Sequence, residues 1–204
     1  MRLDVDFVLY ASIVIACLIP LYIYRKKVFS SVLKKNDISL FIRDIKKHMQ
    51  VEHPKIKIDY AIIDKTKDEN NIEVRQTIIV EDIVSQFFYY EYEKKTQSDI
   101  QREKHWQGYE ERSISNDKYP NDWPIRKDFA WKRDNGSCNR CGTKIQLEDA
   151  ITVFVKDIKD GGGYNFENII ILCSDCNKTI NSQNPKNSIS SLQLNEKLMI
   201  YVQG

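Results

Sequence analysis

The sequence is poor in histidine and has almost no net charge, and each shortage argues against a class of function. Only three histidines occur in 204 residues. His48, His53 and His105 are not spaced as a metal site or a catalytic triad requires, so we expect each at the surface. The 31 basic side chains nearly balance the 29 acidic ones, for a net charge of +2. This balance argues against a polybasic surface that holds nucleic acid by counterion release alone.

The five cysteines do not form a disulfide pattern. Cys17 lies in an apolar run, whereas the others form two C-x-x-C pairs, Cys138 with Cys141 and Cys173 with Cys176. An odd count with paired spacing favours a metal over disulfides. Four thiolates make the closed tetrahedral site of structural zinc, which leaves no position for a reactive water. The alternatives are two redox dithiols or four buried thiols.

One long apolar run stands near the start of the chain. Residues 7–24 carry no formal charge, and Arg25, Lys26 and Lys27 follow directly. As a helix the run would measure roughly 27 Å, close to the hydrocarbon thickness of a bilayer. The run predicts a single-pass membrane anchor, and the positive-inside rule places residues 25–204 in the cytoplasm. A cleaved signal peptide, a lipoprotein signal ending at Cys17 and a buried core helix are the alternatives.

Residues 28–118 read as a mixed α+β region that ends in a charged spacer. Apolar residues at 38, 41, 42, 45 and 49 recur at helical spacing. Residues 56–62 alternate in polarity, residues 72–80 do so less cleanly, and a polar run separates them, which predicts a β-hairpin. The aromatic residues between 87 and 92 are expected in the core. Residues 182–204 form a polar C-terminal tail whose segment 198–202 could dock as a strand.

Residues 119–181 carry a recognisable set of features. Pro124 can open a short helix that runs to residue 133, and glycines 161–163 would form the loop after a first strand. Asn168 and the apolar residues 169–172 follow as a second strand, and Asn177 begins a last helix. Together with the cysteines, these residues resemble the HNH endonucleases, in the subgroup whose treble-clef ββα-metal finger is held by a four-cysteine zinc site. The resemblance implies an α+β fold for the domain, which follows the anchor (1–27) and the middle region (28–118).

The resemblance also implies a catalytic site, and the chain departs from it. In that family an Asp-His or His-His pair ends the first strand and supplies a cation ligand and the general base. Counting back from the glycine loop places Val153 and Phe154 there, and neither side chain binds a cation or accepts a proton. The remaining candidate catalytic residues are two loop carboxylates, the central asparagine and the last-helix asparagine: Asp157, Asp160, Asn168 and Asn177.

Three functions remain open from the sequence. The first is a membrane-anchored HNH-like zinc protein that has lost catalysis and binds nucleic acid or a protein. The second is an active endonuclease that uses a displaced carboxylate and a catalytic divalent cation. In the third, the finger is structural and residues 37–92 carry the partner surface. Residues 119–181 have nine basic and nine acidic side chains, so the electrostatic case for DNA rests on one possible groove of Lys132, Arg133, Lys156, Lys159 and Lys178.

Overall fold

The computed structural model describes residues 38–95, 119–160 and 162–203, and six helical positions at 10, 12, 15, 16, 18 and 19. The chain divides into two compact units, Met1–Ser39 and Leu40–Gly204. The predicted membrane anchor lies largely outside the described residues, as do Cys17, His105 and the charged spacer beyond residue 95. No helix within the described part is both long enough and apolar enough to cross a membrane.

Residues 38–95 form the helices α1 (Ile38–Glu52), α2 (Ile62–Lys65) and α3 (Ile72–Tyr89). The apolar spacing that predicts α1 is confirmed, because Phe41, Ile45 and Met49 are its buried residues. Asn71 caps the start of α3, because its side chain accepts hydrogen bonds from the backbone amides of Glu73 and Val74. Its buried residues are Ile79, Val80, Ile83, Val84, Phe87 and Phe88.

The predicted β-hairpin is wrong, and the described part of the middle region contains helices without a strand. Residues 72–80 belong to α3, because the apolar positions continue at helical spacing far beyond the stretch that alternates. Residues 56–60 alternate in burial as predicted but pair with no described strand. The Gln86 side chain bonds to the backbone of this segment as a neighbouring strand would. Its Oε1 accepts from the Asp59 amide at 2.8 Å, and its Nε2 donates to the Asp59 carbonyl at 2.7 Å.

Two histidine positions differ in exposure. His53 is buried with 7% of its surface exposed, which contradicts the predicted surface position, and its ring packs edge-on against Phe87 at 5.1 Å between centroids. Burial lowers the pKa of His53 to about 4, so this side chain is neutral at physiological pH. His48 is half-buried, and its pKa is lowered by the same cause.

The C-terminal residues form two helices, Pro185–Ser190 and Gln193–Gln203. They are labelled α6 and α7, because α4 (Trp123–Arg133) and α5 (Ser174–Ile180) precede them in the chain. The predicted strand at residues 198–202 is therefore wrong. Leu194 and Leu198 are buried at i and i+4 of α7, a helical spacing that a window of five residues does not show. Helix α7 packs against α3. The domain boundaries expected at residues 27, 118 and 181 stay predictions.

The cysteine-rich segment holds the two described strands. Helix α4 (Trp123–Arg133) precedes β1 (Ile151–Phe154) and β2 (Ile169–Leu172), and α5 (Ser174–Ile180) follows. The strands pair antiparallel, with Ile151 opposite Leu172 and Phe154 opposite Ile169. The core between α4 and the sheet contains Ala130, Ala150, Ile169 and Ile171. The predicted helix near residues 124–133 and the second strand are confirmed, whereas the last helix begins at Ser174, before the predicted Asn177.

Candidate functional site

The four paired cysteines converge on one point. The sulfur atoms of Cys138, Cys141, Cys173 and Cys176 all lie within 4.8 Å of one another, and three of these residues are buried. The Cys141 and Cys173 sulfurs are 3.8 Å apart. Two turns that are far apart in sequence therefore present four ligand atoms to a single volume, which could hold a metal ion.

The first turn depends on a glycine. The Gly142 amide donates to the Cys138 carbonyl at 2.9 Å, and the Cys138 amide donates to the Thr143 carbonyl at 2.8 Å. Gly142 has φ +85°, a conformation that side chains rarely adopt, and a Cβ there would lie 2.9 Å from Pro54 Cγ. In the second turn, Cys173 caps α5, because its sulfur accepts from the Cys176 amide at 3.4 Å.

The electrostatics of the cluster fit a cation. A hydrogen bond from Cys141 lowers the pKa of Cys138. Hydrogen bonds to Cys138 raise the pKa of both Cys141 and Cys176. Hydrogen bonding to Cys138 and burial therefore oppose the ionisation of Cys141 and Cys176. A bound divalent cation removes that restriction and lets all four sulfurs ionise.

Each C-x-x-C turn also contains a buried charged residue at its third position. Arg140 is 2% exposed, and its Nη2 donates to the carbonyls of Phe87 at 2.6 Å, Phe88 at 3.3 Å and Tyr90 at 3.0 Å, at the end of α3. Its Nη1 lies 3.5 Å from the Cys176 sulfur. The guanidinium thus joins the C-terminus of α3 to the cysteine cluster.

Asp175 has the matching role in the second turn. It is 6% exposed, and its two carboxylate oxygens accept from the amides of Gln193 and Leu194, each at 2.9 Å. These amides belong to the first turn of α7, where backbone donors have no partner within the helix and where negative charge is favoured. The cysteine turns therefore contact the ends of two helices that pack against each other.

The end of β1, where the general base is expected, is apolar. The Phe154 ring lies 5.8 Å from the Trp123 ring and 5.6 Å from the Tyr164 ring, between centroids. Tyr119 stacks on Trp123 at 4.6 Å. We call Tyr119, Trp123, Phe154 and Tyr164 the aromatic cluster. It includes Phe154, the residue that the family resemblance aligns with the histidine that acts as general base.

Lysine and carboxylate side chains surround the backbone after Phe154. Lys94 Nζ donates to the Phe154 carbonyl at 2.9 Å and lies 3.7 Å from an Asp157 oxygen. The Asp157 side chain is 64% exposed, and Asp160 is exposed as well. Among the described residues, the four-cysteine cluster is the one group of three or more His, Cys, Asp or Glu side chains close enough to hold an ion. Asp157 and Asp160 therefore join no such group.

The central asparagine forms hydrogen bonds across the loop that connects β1 and β2. Asn168 is 4% exposed; its Oδ1 accepts from the Lys156 amide, and its Nδ2 donates to the carbonyls of Lys156 and Gly163, all at 2.8 Å. Gly162 lies against this bridge, because a Cβ there would stand 2.0 Å from the Lys156 carbonyl oxygen. Asn177 is engaged elsewhere, since its Oδ1 accepts from Asn181 Nδ2 at 2.9 Å.

The comparisons with known proteins concern this part of the chain. Residues 138–183 match the family model described as HNH endonuclease. This segment resembles an HNH domain. The match begins after α4, so Tyr119 and Trp123 of the aromatic cluster precede it. Among curated proteins and among solved structures, none matches the chain.

The basic side chains considered as a groove for DNA are largely engaged in internal contacts. Arg133 donates to the carbonyls of Phe166 at 3.0 Å and Ile169 at 2.7 Å. Lys132 pairs with Asp128 at 2.6 Å, and Lys178 donates to the Ser191 carbonyl at 2.9 Å. Three of the five candidate side chains thus have intramolecular partners.

Sequence reasoning missed Arg140, Asp175 and Lys94 as site residues. Arg140 counted only as one more basic side chain in the charge balance. Its position between two cysteines was the available signal, because a charge inside a C-x-x-C turn lies close to the cysteine sulfurs. The sequence contained no signal for the carbonyl groups of α3 that Arg140 binds, since they lie about 50 residues earlier in the chain.

Proposed function

We propose that this chain is a membrane-anchored HNH-type zinc protein that binds a partner and does not cleave nucleic acid. One observation carries the proposal: Phe154, at the general-base position, packs its ring against Trp123 and Tyr164. A phenyl ring accepts no proton, and Val153 beside it offers no ligand atom. Water activation and anchoring of a catalytic cation would both be lost.

The spacing of the sulfurs supports zinc as the resident ion. With zinc–sulfur distances of about 2.3 Å, the sulfurs of a tetrahedral site lie roughly 3.8 Å apart. The Cys141 and Cys173 sulfurs are separated by 3.8 Å. Four thiolate ligands fill the coordination shell, so the ion would stabilise the fold and would not activate water. Cys138, Cys141, Cys173 and Cys176 are the residues that would hold it.

The charge distribution favours a protein partner over nucleic acid. Lys132, Arg133 and Lys178 have internal partners, which leaves little of the candidate groove for phosphates. Ile125 and Phe129, one turn apart on α4, each expose 56% of their surface. Apolar side chains of this kind suit a protein contact. A gel shift with duplex DNA that falls steeply with salt would point to nucleic acid instead.

The 204-residue chain is expected to leave supercoiled plasmid intact with Mg²⁺, Mn²⁺ or Ni²⁺. Loss of a general base costs about 10²–10⁴ in rate, and the missing cation ligand adds to that loss. Agarose gels after prolonged incubation measure the outcome. The matched comparison is the double variant Val153→Asp/Phe154→His, which returns the two missing groups to the end of β1.

Cleavage by the unmodified chain would contradict the proposal. If Asp157→Ala or Asp160→Ala then abolished that cleavage, the alternative of an active endonuclease with a displaced carboxylate would replace it. If only the double variant nicked the plasmid, the missing pair alone would account for the loss of activity. A contaminating nuclease is recognised because it would not respond to any of these substitutions.

The anchor at residues 7–24 is the other part of the proposal. We expect the chain to sediment with membranes, to resist extraction by alkaline carbonate and to dissolve in detergent, because an apolar helix of this length matches the bilayer. A chain lacking residues 7–24 is the control and should appear in the supernatant. Carbonate extraction of the unmodified chain would contradict the anchor.

A further inference from the structure

We propose that Arg140 and Asp175 couple metal occupancy of the four-cysteine cluster to the packing of α3 and α7, so that ion and helices form one cooperative unit. The inference rests on the metal site of the proposed function and is independent of whether catalysis is lost. Both helices lie outside the segment that matches the HNH family model, since α3 is Ile72–Tyr89 and α7 is Gln193–Gln203.

The environment of Arg140 requires a negative charge nearby. A buried guanidinium is costly unless it is paired, and none of the ion pairs among the described residues joins Arg140 to a carboxylate. Its partners are three backbone carbonyls and the Cys176 sulfur. Four thiolates around a divalent cation carry a formal charge of −2, which supplies the missing compensation. The rings of Phe87 and Tyr90 flank the guanidinium at 5.1 and 5.7 Å.

Asp175 extends the coupling to α7 from the other turn. Its carboxylate satisfies two amides in the first turn of α7, and Leu194 and Leu198 then bury against the rest of the unit. Asp175 lies next to Cys176, so its position depends on the geometry of the second cysteine turn. Movement of that turn would break the cap and expose α7 donors to competition from water.

Further contacts bind the first cysteine turn to the residues that flank the helices. The Lys55 amide donates to the Cys141 carbonyl at 3.1 Å, and Lys55 Nζ donates to the Asn139 carbonyl at 3.0 Å. The Tyr92 hydroxyl donates to Asn139 Oδ1. Lys55 follows α1 and Tyr92 follows α3, so residues near the ends of two helices bind the same turn. A bound metal fixes this turn relative to the second one, and the helices depend on both.

Hydrogen exchange measured by mass spectrometry tests the coupling in the 204-residue chain, with one zinc bound and after removal of zinc by a chelator. We expect amides of α3 and α7 to exchange at least about tenfold faster without zinc, because opening of the cluster releases both helix ends. This comparison needs no variant. Unchanged protection of α3 and α7 in the zinc-free chain would overturn the inference.

Zinc release to a chromogenic chelator gives a second measurement. Arg140→Met removes the guanidinium group with its charge, and Asp175→Asn removes the charge at unchanged side-chain size. Each variant should release zinc about tenfold faster, as expected when a group that supports metal ligands is lost. The matched controls are Arg75→Met and Asp82→Asn, whose side chains contact carbonyl or amide groups away from the cysteines. Both controls should release zinc at the unmodified rate.

The outcomes separate this inference from the proposed metal site. If the unmodified chain held no zinc, the site and the coupling would both fail. If it held one zinc but Arg140→Met and Asp175→Asn released it no faster than their controls, the coupling alone would be overturned. If Arg140→Met failed to fold, Arg140→Lys would take its place in the test. Lysine keeps the positive charge but lacks the guanidinium that donates to the three carbonyls at the end of α3. Asp175→Asn would still test the contact with α7.

Discussion

Removing the metal from the four-cysteine cluster should destabilise the whole unit Leu40–Gly204 rather than loosen one part of it. Structural zinc contributes roughly 10 kcal/mol to folding, which is comparable with the whole net stability of a domain. We expect Cys176→Ser, or treatment with a chelator, to lower the melting temperature by roughly 20 °C or more. Circular dichroism at a helical wavelength measures the loss, because most of the described regular structure is helical.

The chain contains its own control for this experiment. Cys17→Ser changes a cysteine outside the two C-x-x-C pairs, so it should leave the melting temperature and the zinc content as they are. A Cys176→Ser variant that melted within a few degrees of the unmodified chain would contradict a structural metal site. The four sulfurs would then be buried thiols, one of the alternatives that the sequence leaves open.

Gly162→Ala is the second substitution with a large expected effect. The added Cβ would stand 2.0 Å from the Lys156 carbonyl oxygen and 2.9 Å from Asn168 Nδ2, so the backbone or the asparagine must move. Either movement breaks the three hydrogen bonds of Asn168, at about 1–1.5 kcal/mol each. We expect the free energy of unfolding to fall by roughly 3–4 kcal/mol, measured by urea denaturation with tryptophan fluorescence.

Asp160→Ala is the matched control for the glycine. It alters an exposed side chain two residues earlier in the same loop and should change the free energy of unfolding by less than about 0.5 kcal/mol. If Gly162→Ala behaved like this control, the loop would accommodate a methyl group. The contact between Gly162 and the asparagine bridge would then have no role in stability.

The sequence predicted the cysteine-rich segment well because its signals are local. Two C-x-x-C pairs, a glycine loop and Asn168 each specify a turn or a bridge within a few residues. Asn168 does bridge the loop, through Lys156 and Gly163. The helix before the first cysteine turn was similarly marked by Pro124 at its start.

The middle and C-terminal regions were predicted less well because their short apolar runs fit two periodicities. Residues 72–80 alternate weakly, but the decisive evidence for a helix lies beyond them, at Ile83, Val84 and Phe87. Residues 198–202 gave the same ambiguity. The roles of Arg140 and Asp175 depend on contacts with distant helix ends, and no pattern within a C-x-x-C turn indicates which helix a charged residue will meet.

The aromatic cluster also bears on how the proposed loss of catalysis could be reversed. Phe154→His alone would supply a proton acceptor without an ion and would give up ring contacts with Trp123 and Tyr164. Val153→Asp alone would place a carboxylate opposite Ile170, which is fully buried, and would supply a ligand without a base. If catalysis has been lost as proposed, we expect each single step to lower stability and to restore no hydrolysis, so stepwise mutation would offer no favourable path back to a nuclease.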